Sequence, residues 1–305
     1  MSFLDQFGGI LLDRNPAHKM QKVHLLQAWG LLSVTPLCRN NHLMLLELRP
    51  NLDGCRWKCH SCGQTRGLRR GTIFNKWNKT PLHTLVMVIY YWSLQHTGAD
   101  ITRMTRFNKD NVGALRRELR RICAADLIRH PIQIDGGGNW TVQIDESMFH
   151  HKQRANRGRI ARQPIWVFGM VDTRYIPARP LLEVVPNRAR RTLIPIINRV
   201  LVGQNVEVHS DMWRAYINLP NFCPRVLVHE TVNHTQNFVD PVTGAHTQHI
   251  ESCWNRVKYQ LKKRKGCRRD RLQTYLNEFM WMDWRGGNDK FMAMVDAINV
   301  EYPQM

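Results

Sequence analysis

Three carboxylates and one lysine occupy positions from which they could act together. Asp145 stands in Val142-Gln-Ile-Asp-Glu146, Asp211 in Val208-His-Ser-Asp-Met-Trp213, and Glu251 and Lys258 in His249-Ile-Glu-Ser-Cys-Trp-Asn-Arg-Val-Lys258. The two aspartates end stretches of strand character, and carboxylates at strand ends can converge at one edge of a sheet. Seven residues along a helix return to within about 20° of the starting direction, so Glu251 and Lys258 share a face. Taken singly, each acid could be a surface charge; the ordered set carries the reading. Three carboxylates with no evident nucleophile suit Mg²⁺ or Mn²⁺, which prefer hard oxygen ligands. Two such ions about 4 Å apart activate a water or a 3′-hydroxyl and stabilise the leaving oxygen. Lys258 would then lie over a phosphate.

A second group has soft ligands. Cys59-His-Ser-Cys62-Gly63 is a C-x2-C-G knuckle, and Cys38-Arg-Asn-Asn-His42 lies upstream at the interval expected of a partner knuckle. Cys38, His42, Cys59 and Cys62 would complete a Cys3His tetrahedron around a structural Zn²⁺. Asn41 occupies the place where a second knuckle cysteine would stand. Cys55, four residues before Cys59, is the alternative ligand to His42.

These side chains must be held by a framework, and the pattern supplies one. Residues 1–34 read as a helical lead-in, 35–77 as a zinc-ribbon-like segment and 78–132 as a helical region. In the last, Leu82–Leu94 forms an apolar helix and Asp100–Thr105 a short one. Asn108 then caps a helix with Val112, Leu115, Leu119 and Ile122 inward and Lys109, Arg116, Arg117, Arg120 and Arg121 on its other faces. Short helix, turn, basic helix is the outline of a helix-turn-helix. After the Asp135–Asn139 turn, strands are expected at 140–145, 164–172, 181–185, 206–210 and 226–229. Helices are expected at 192–201, 212–217, 250–263 and 272–284. Strands first, then alternation, define an α/β domain with a mixed sheet over 139–288, with 289–305 left as a C-terminal tail.

Composition narrows the partners. The 305 residues carry 44 Lys+Arg against 24 Asp+Glu, a formal net charge of +20, and a chain this basic is suited to a polyanion, nucleic acid above all. The 43% hydrophobic content is enough for a core. No apolar run approaches the ~18 residues of a membrane span, and the opening residues carry no basic region ahead of an apolar stretch, so secretion is not expected. Eight cysteines, unevenly spread, fit a metal knuckle better than a disulfide framework. Two basic runs extend the DNA reading. Phe149–Arg162 holds Lys152, Arg154, Arg157 and Arg159 beside Asp145, and Lys262, Lys263, Arg264 and Lys265 continue the Glu251 helix. The latter run could also serve nuclear import.

Ile144-Asp-Glu-Ser147, Trp166-Val-Phe-Gly169, Ser210-Asp-Met-Trp-Arg-Ala-Tyr216 and the long match Val232–Thr247 followed by Ile250-Glu-Ser-Cys-Trp254 resemble Merlin-superfamily DDE transposases, which are related to bacterial insertion-sequence transposases. The resemblance spans about Cys38 to Trp284. It implies an RNase H-like catalytic domain, preceded by the zinc-ribbon-like segment and the helical DNA-binding region. It also implies that Asp145, Asp211 and Glu251 form the acidic triad with Lys258 following on the helix. The implied function is cut-and-paste transposition: binding of terminal inverted repeats in double-stranded DNA, cleavage, and transfer of 3′-hydroxyl ends to target DNA. A homodimer or larger assembly on DNA and a nuclear location, with a bacterial cytoplasm as the alternative, go with it. A domesticated DNA-binding protein without catalysis and a stand-alone RNase H-like nuclease are the competing readings. Asp172 at a strand end reads as a cap or surface charge, Asp240 as a turn residue, and His234 and His246 as satisfied loop histidines.

Overall fold

The computed structural model describes residues 9–12, 19–149, 164–233 and 238–304. They form two compact units, 1–122 with 286–305, and 123–285.

The first unit begins with α1 (Gly9–Leu12) and α2 (Lys19–Ala28). A three-stranded antiparallel sheet follows, β1 (Leu45–Leu48), β2 (Cys55–Lys58) and β3 (Thr65–Arg66), in that spatial order. Beneath it the buried Arg69 guanidinium forms an ion pair with Asp53 and donates to the Trp77 and Thr80 carbonyls, each at 2.6 Å. Every hydrogen bond of this arginine therefore fixes the sheet to the chain that follows. α3 (Leu82–Ser93) is apolar around most of its circumference and is buried to match, with Leu85, Val86, Val88 and Ile89 fully enclosed. α4 (Gly98–Thr105) opens with a capping box between Thr97 and Asp100, which satisfies two N–H groups that a helix start leaves unpaired. After a three-residue turn, α5 (Lys109–Arg129) starts with the Asn108 carboxamide accepting the Asp110 and Asn111 N–H groups.

The stretch 289–305 is not a tail. Lys290–Glu301 is a helix whose Asp289 cap accepts two backbone N–H groups and whose Phe291, Met294, Val295 and Ile298 are buried in the first unit. Phe291 packs edge-on against Trp29 and Tyr90, and Glu301 pairs with Arg121 at 2.7 Å.

The second unit is a five-stranded mixed sheet. β4 (Thr141–Phe149), β5 (Ile165–Asp172) and β6 (Arg179–Val185) make an antiparallel meander. β7 (Val206–Asp211) then pairs parallel to β4, and β8 (Val226–Val232) parallel to β7, giving the order β6-β5-β4-β7-β8. α6 (Arg190–Val200) precedes β7, and its apolar stripe Leu193, Ile197 and Val200 is buried in the core. α7 (Gln248–Lys263) packs on β4 and β5, and α8 (Leu272–Trp284) on β6. The α/β class and mixed sheet expected from the sequence are therefore present. One element differs: the helix expected over 212–217 is only a 3-10 turn, Arg214–Tyr216. The Asp211 carboxylate accepts the Trp213 N–H, and the Trp213 indole donates to the Arg188 carbonyl, which holds Trp213 extended. Among the described residues, no helix is long and apolar enough to cross a membrane.

Candidate functional site

The two central strands position the aspartates. β4 and β7 run parallel with Gln143 opposite His209. Asp145 and Asp211 lie two positions beyond that pair on adjacent strands; Asp211 closes β7, whereas β4 does not end at Asp145 as the sequence suggested but runs on to Phe149, paired with β5. α7 is fastened across this edge by Gln143, a fully buried side chain. Its Oε1 accepts the N–H groups of His249 at 2.9 Å and Ile250 at 3.2 Å, both donors that the first turn of a helix leaves free. Glu251 follows in that same turn, where the helix dipole favours a carboxylate. Thr247 Oγ1 donates to its Oε1 at 2.9 Å. One turn on, Trp254 Nε1 donates to Asp145 Oδ2 at 2.9 Å. The indole fits because residue 169, opposite Asp145 on β5, is glycine: a Cβ there would come within 2.6 Å of Trp254 and 2.9 Å of Ile250. Lys258 is exposed, with its ammonium 5.7 Å from the centre of the Phe149 ring, which packs against Trp254.

Burial pushes the Asp145 carboxyl up to about 6. The Trp254 hydrogen bond opposes this, and the charges of Asp211 and Glu251 add to it. Glu146, the next residue, is driven to about 8 by burial and by Asp145 and Asp211, with Arg188 opposing. Negative charge is thus concentrated among oxygen donors at one sheet edge. A hard divalent cation would relieve that repulsion, so the donor set fits one. The three carboxylates do not form as tight a cluster as the cysteine site described next.

In the first unit, Cys38, His42, Cys59 and Cys62 bring one ligand atom each to within 4.8 Å of one another. Cys62 Sγ lies 3.6 Å from Cys38 Sγ, and Cys59 Sγ lies 3.7 Å from His42 Nδ1. Tetrahedral zinc with bonds of about 2.3 Å to sulfur spaces its sulfurs about 3.8 Å apart. The N–H groups of Asn40 and His42 point at Cys38 Sγ. Burial raises the Cys59 thiol, but hydrogen bonds from Cys62, His42 and Ser61 outweigh it and bring the group to about 6. These four residues could hold a metal ion. Asn41 contributes the turn instead of a ligand, with a φ of +59°. Cys55 lies apart from the cluster, its Sγ directed at the Asp53 carbonyl, and burial raises it to about 11.

The basic residues sort by partner. Lys109 and Arg117 on α5 are exposed, and Arg116 is half-buried beneath Gly98. Arg120 is buried, and the half-exposed Arg121 pairs with Glu118 and Glu301. Lys262, Lys263 and Lys265 are exposed, whereas Arg264 pairs with the buried Glu278 at 2.8 Å. Lys152, Arg154, Arg157, Arg159 and His234 lie outside the described residues. Asp172 is no surface charge: it is fully buried in a bidentate pair with Arg174. Asp240 accepts the Val242 and Thr243 N–H groups of its turn, and His246 is satisfied by Gln143. Sequence reasoning missed Gln143, Glu146 and Arg188. The only signal was a polar residue two places before the strand acid Asp145.

A mixed-sheet α/β unit with acids on adjacent parallel strands and a third acid on a tethered helix defines the class. Comparison with known proteins shows what this unit is similar to. Residues 134–283 match the ISXO2-like transposase domain, a span that covers nearly all of the second unit. This part of the chain is therefore similar to bacterial insertion-sequence transposases. An uncharacterised transposase-like protein of Haemophilus influenzae is 26% identical over 117 residues, covering 38% of this chain and 86% of that protein. Among solved structures, the intasome of simian T-cell lymphotropic virus in complex with PP2A regulatory subunit B56 gamma covers 64% of this chain and 67% of its own, at 14% identity. Its TM-score is 0.33, too low to define a shared fold.

Proposed function

We propose that this chain is a DDE transposase that cuts DNA and transfers the freed 3′-hydroxyl ends to new DNA. Asp145, Asp211 and Glu251 would hold Mg²⁺ or Mn²⁺. Bound there, the metal would acidify the attacking water or 3′-hydroxyl and offset charge on the transferring phosphoryl group. The observation that carries the reading is the β4–β7 register together with the Gln143 tether, which gathers the three acids of a transposase-family domain at one edge. The chain's own residues supply positioning. Trp254 fixes the Asp145 carboxylate, the Trp213 N–H fixes that of Asp211, and Thr247 fixes that of Glu251. Lys258 would meet a phosphate from the same face of α7.

The strand order with three antiparallel strands leading supports an RNase H-like fold, and the Val232–Trp254 motif supports the Merlin superfamily as the narrower placing. The cysteine cluster would hold a structural Zn²⁺. With the first unit it would bind terminal inverted repeats, where Lys109 and Arg117 are the α5 cations free of internal anchoring roles. Two ends must meet for transfer, so a dimer or larger assembly on DNA is expected.

The test uses inverted repeats found beside the gene, made as labelled duplexes and incubated with protein and Mn²⁺ or Mg²⁺. Cleavage at the repeat ends and joining to a plasmid, both absent with Asp145→Asn and Glu251→Gln, is the expected result. Binding without metal-dependent cleavage would leave a DNA-binding protein with an idle catalytic fold. Cleavage of any duplex without joining would leave a nuclease.

A further inference from the structure

Beside the acidic edge lies a stack that the catalytic reading does not use. The Arg188 guanidinium carbon sits 4.0 Å from the Trp166 ring centre and 4.0 Å from that of Trp213. Trp213 in turn carries Arg214 on its surroundings at 5.5 Å. Both faces of the Arg188 guanidinium are therefore covered by indoles, and only its edge can donate hydrogen bonds. The clamp is fixed from two sides: the Trp213 indole donates to the Arg188 carbonyl at 3.0 Å, and the Trp213 N–H donates to Asp211 at 2.9 Å.

The edge of the guanidinium is underused. Arg188 Nη1 stands 3.8 Å from Glu146 Oε2, beyond hydrogen-bond distance. Among the described residues its guanidinium donates no hydrogen bond. The Glu146 side chain is 1% exposed, and its Oε1 has no hydrogen-bond partner. Arg188 itself keeps 28% of its side chain in solvent. A planar cation stacked on two aromatic rings and open at its rim is built to take an anionic oxygen with little loss of side-chain freedom.

We propose that Trp166, Arg188 and Trp213 form a phosphate clamp: the exposed edge of Arg188 binds a backbone phosphate of the DNA strand adjoining the one that Asp145 and Asp211 act on. This rests on the transposase reading for the identity of the anion.

The test is the salt dependence of binding, read by anisotropy with a fluorescein-labelled DNA duplex in buffer without added Mg²⁺ or Mn²⁺ and without chelator. Each phosphate contact contributes about 0.9 to the slope of log affinity against log salt. Arg188→Ala should lower that slope by about 0.9, while Arg188→Lys should keep it and bind more weakly, since it retains charge but not the stacked plane. A role confined to folding would lower the melting temperature and leave the slope unchanged. Should Arg188→Ala not fold, Arg188→Gln, which keeps a side chain of similar length between the indoles, is read in the same way. A wild-type slope in either folded variant overturns the clamp, as does absence of DNA binding by the wild type. Mn²⁺-dependent cleavage by the wild-type protein is scored separately. Its absence counts against the transposase reading, whereas an unchanged slope with cleavage intact counts against the clamp alone.

Discussion

The Asp145 carboxylate is held at a cost that its proposed role as a metal ligand would explain. An aspartate titrates near 3.9 in an unfolded chain, and in the folded protein burial and its acidic neighbours bring it to about 6. Between those values the folded state binds the extra proton, so this group favours folding at low pH and loses that contribution as pH rises through 6. Above pH 6 the ionised carboxylate destabilises the metal-free protein by about 3 kcal/mol. Asp145→Asn, which keeps the shape and still accepts from Trp254, should therefore raise the melting temperature in EDTA at pH 8 and change little at pH 4. A lower melting temperature at pH 8 would contradict this. Added Mg²⁺ should then raise the melting temperature of the wild type and not of Asp145→Asn, because a cation that binds only the folded state stabilises it by mass action.

Elements set what a single substitution can do. Gly169→Ala puts a Cβ against the Trp254 ring, so β5 and α7 must separate or the indole must turn away from Asp145. Overpacking of this kind costs about 1–3 kcal/mol. We expect a corresponding fall in denaturation midpoint together with loss of cleavage, whereas Gly67→Ala, where a Cβ meets nothing, should spare catalysis. Near-normal cleavage by Gly169→Ala would show that the Trp254 contact is dispensable. In the first unit, zinc analysis should give one metal per chain, and Cys62→Ser or a chelator should remove it and expose β1–β3 to hydrogen exchange. Retained protection after metal removal would refute a structural role.

The strands of the second unit and five of the long helices were legible because their apolar periodicity is regular. Asp211, Glu251 and the knuckle were legible because they sit at element ends; Asp145 was picked out beside them, but β4 runs four residues past it. Gln143 and Trp254 were not, because their partners lie over 100 residues away in the chain. Arg120, Arg121 and Arg264 looked like a DNA face because a helical pattern counts charges without showing that Glu118, Glu301 or Glu278 waits opposite. The C-terminal helix was missed for a related reason: its apolar residues are paired with Trp29 and Tyr90 from the other end of the sequence.

For the whole molecule, a net charge of +20 predicts DNA affinity that falls steeply with salt. Removing residues 289–305 should damage the first unit, since it strips Phe291, Val295 and Ile298 from its core. Burial of such side chains contributes about 1.5–3 kcal/mol each, so weakened or lost DNA binding is expected. Unchanged binding by the truncated chain would show that the helix is peripheral.

The most direct measurement is Mn²⁺-dependent cleavage by wild type, Asp145→Asn, Asp211→Asn and Glu251→Gln, with the melting temperature of each recorded beside its rate. Loss of a metal ligand removes several kcal/mol of transition-state stabilisation, roughly 10²–10⁴-fold in rate. The expected result is that all three variants fold at least as well as the wild type and each falls by that factor. Wild-type rates in folded Asp145→Asn or Asp211→Asn would contradict the assignment of the β4–β7 edge as the catalytic centre.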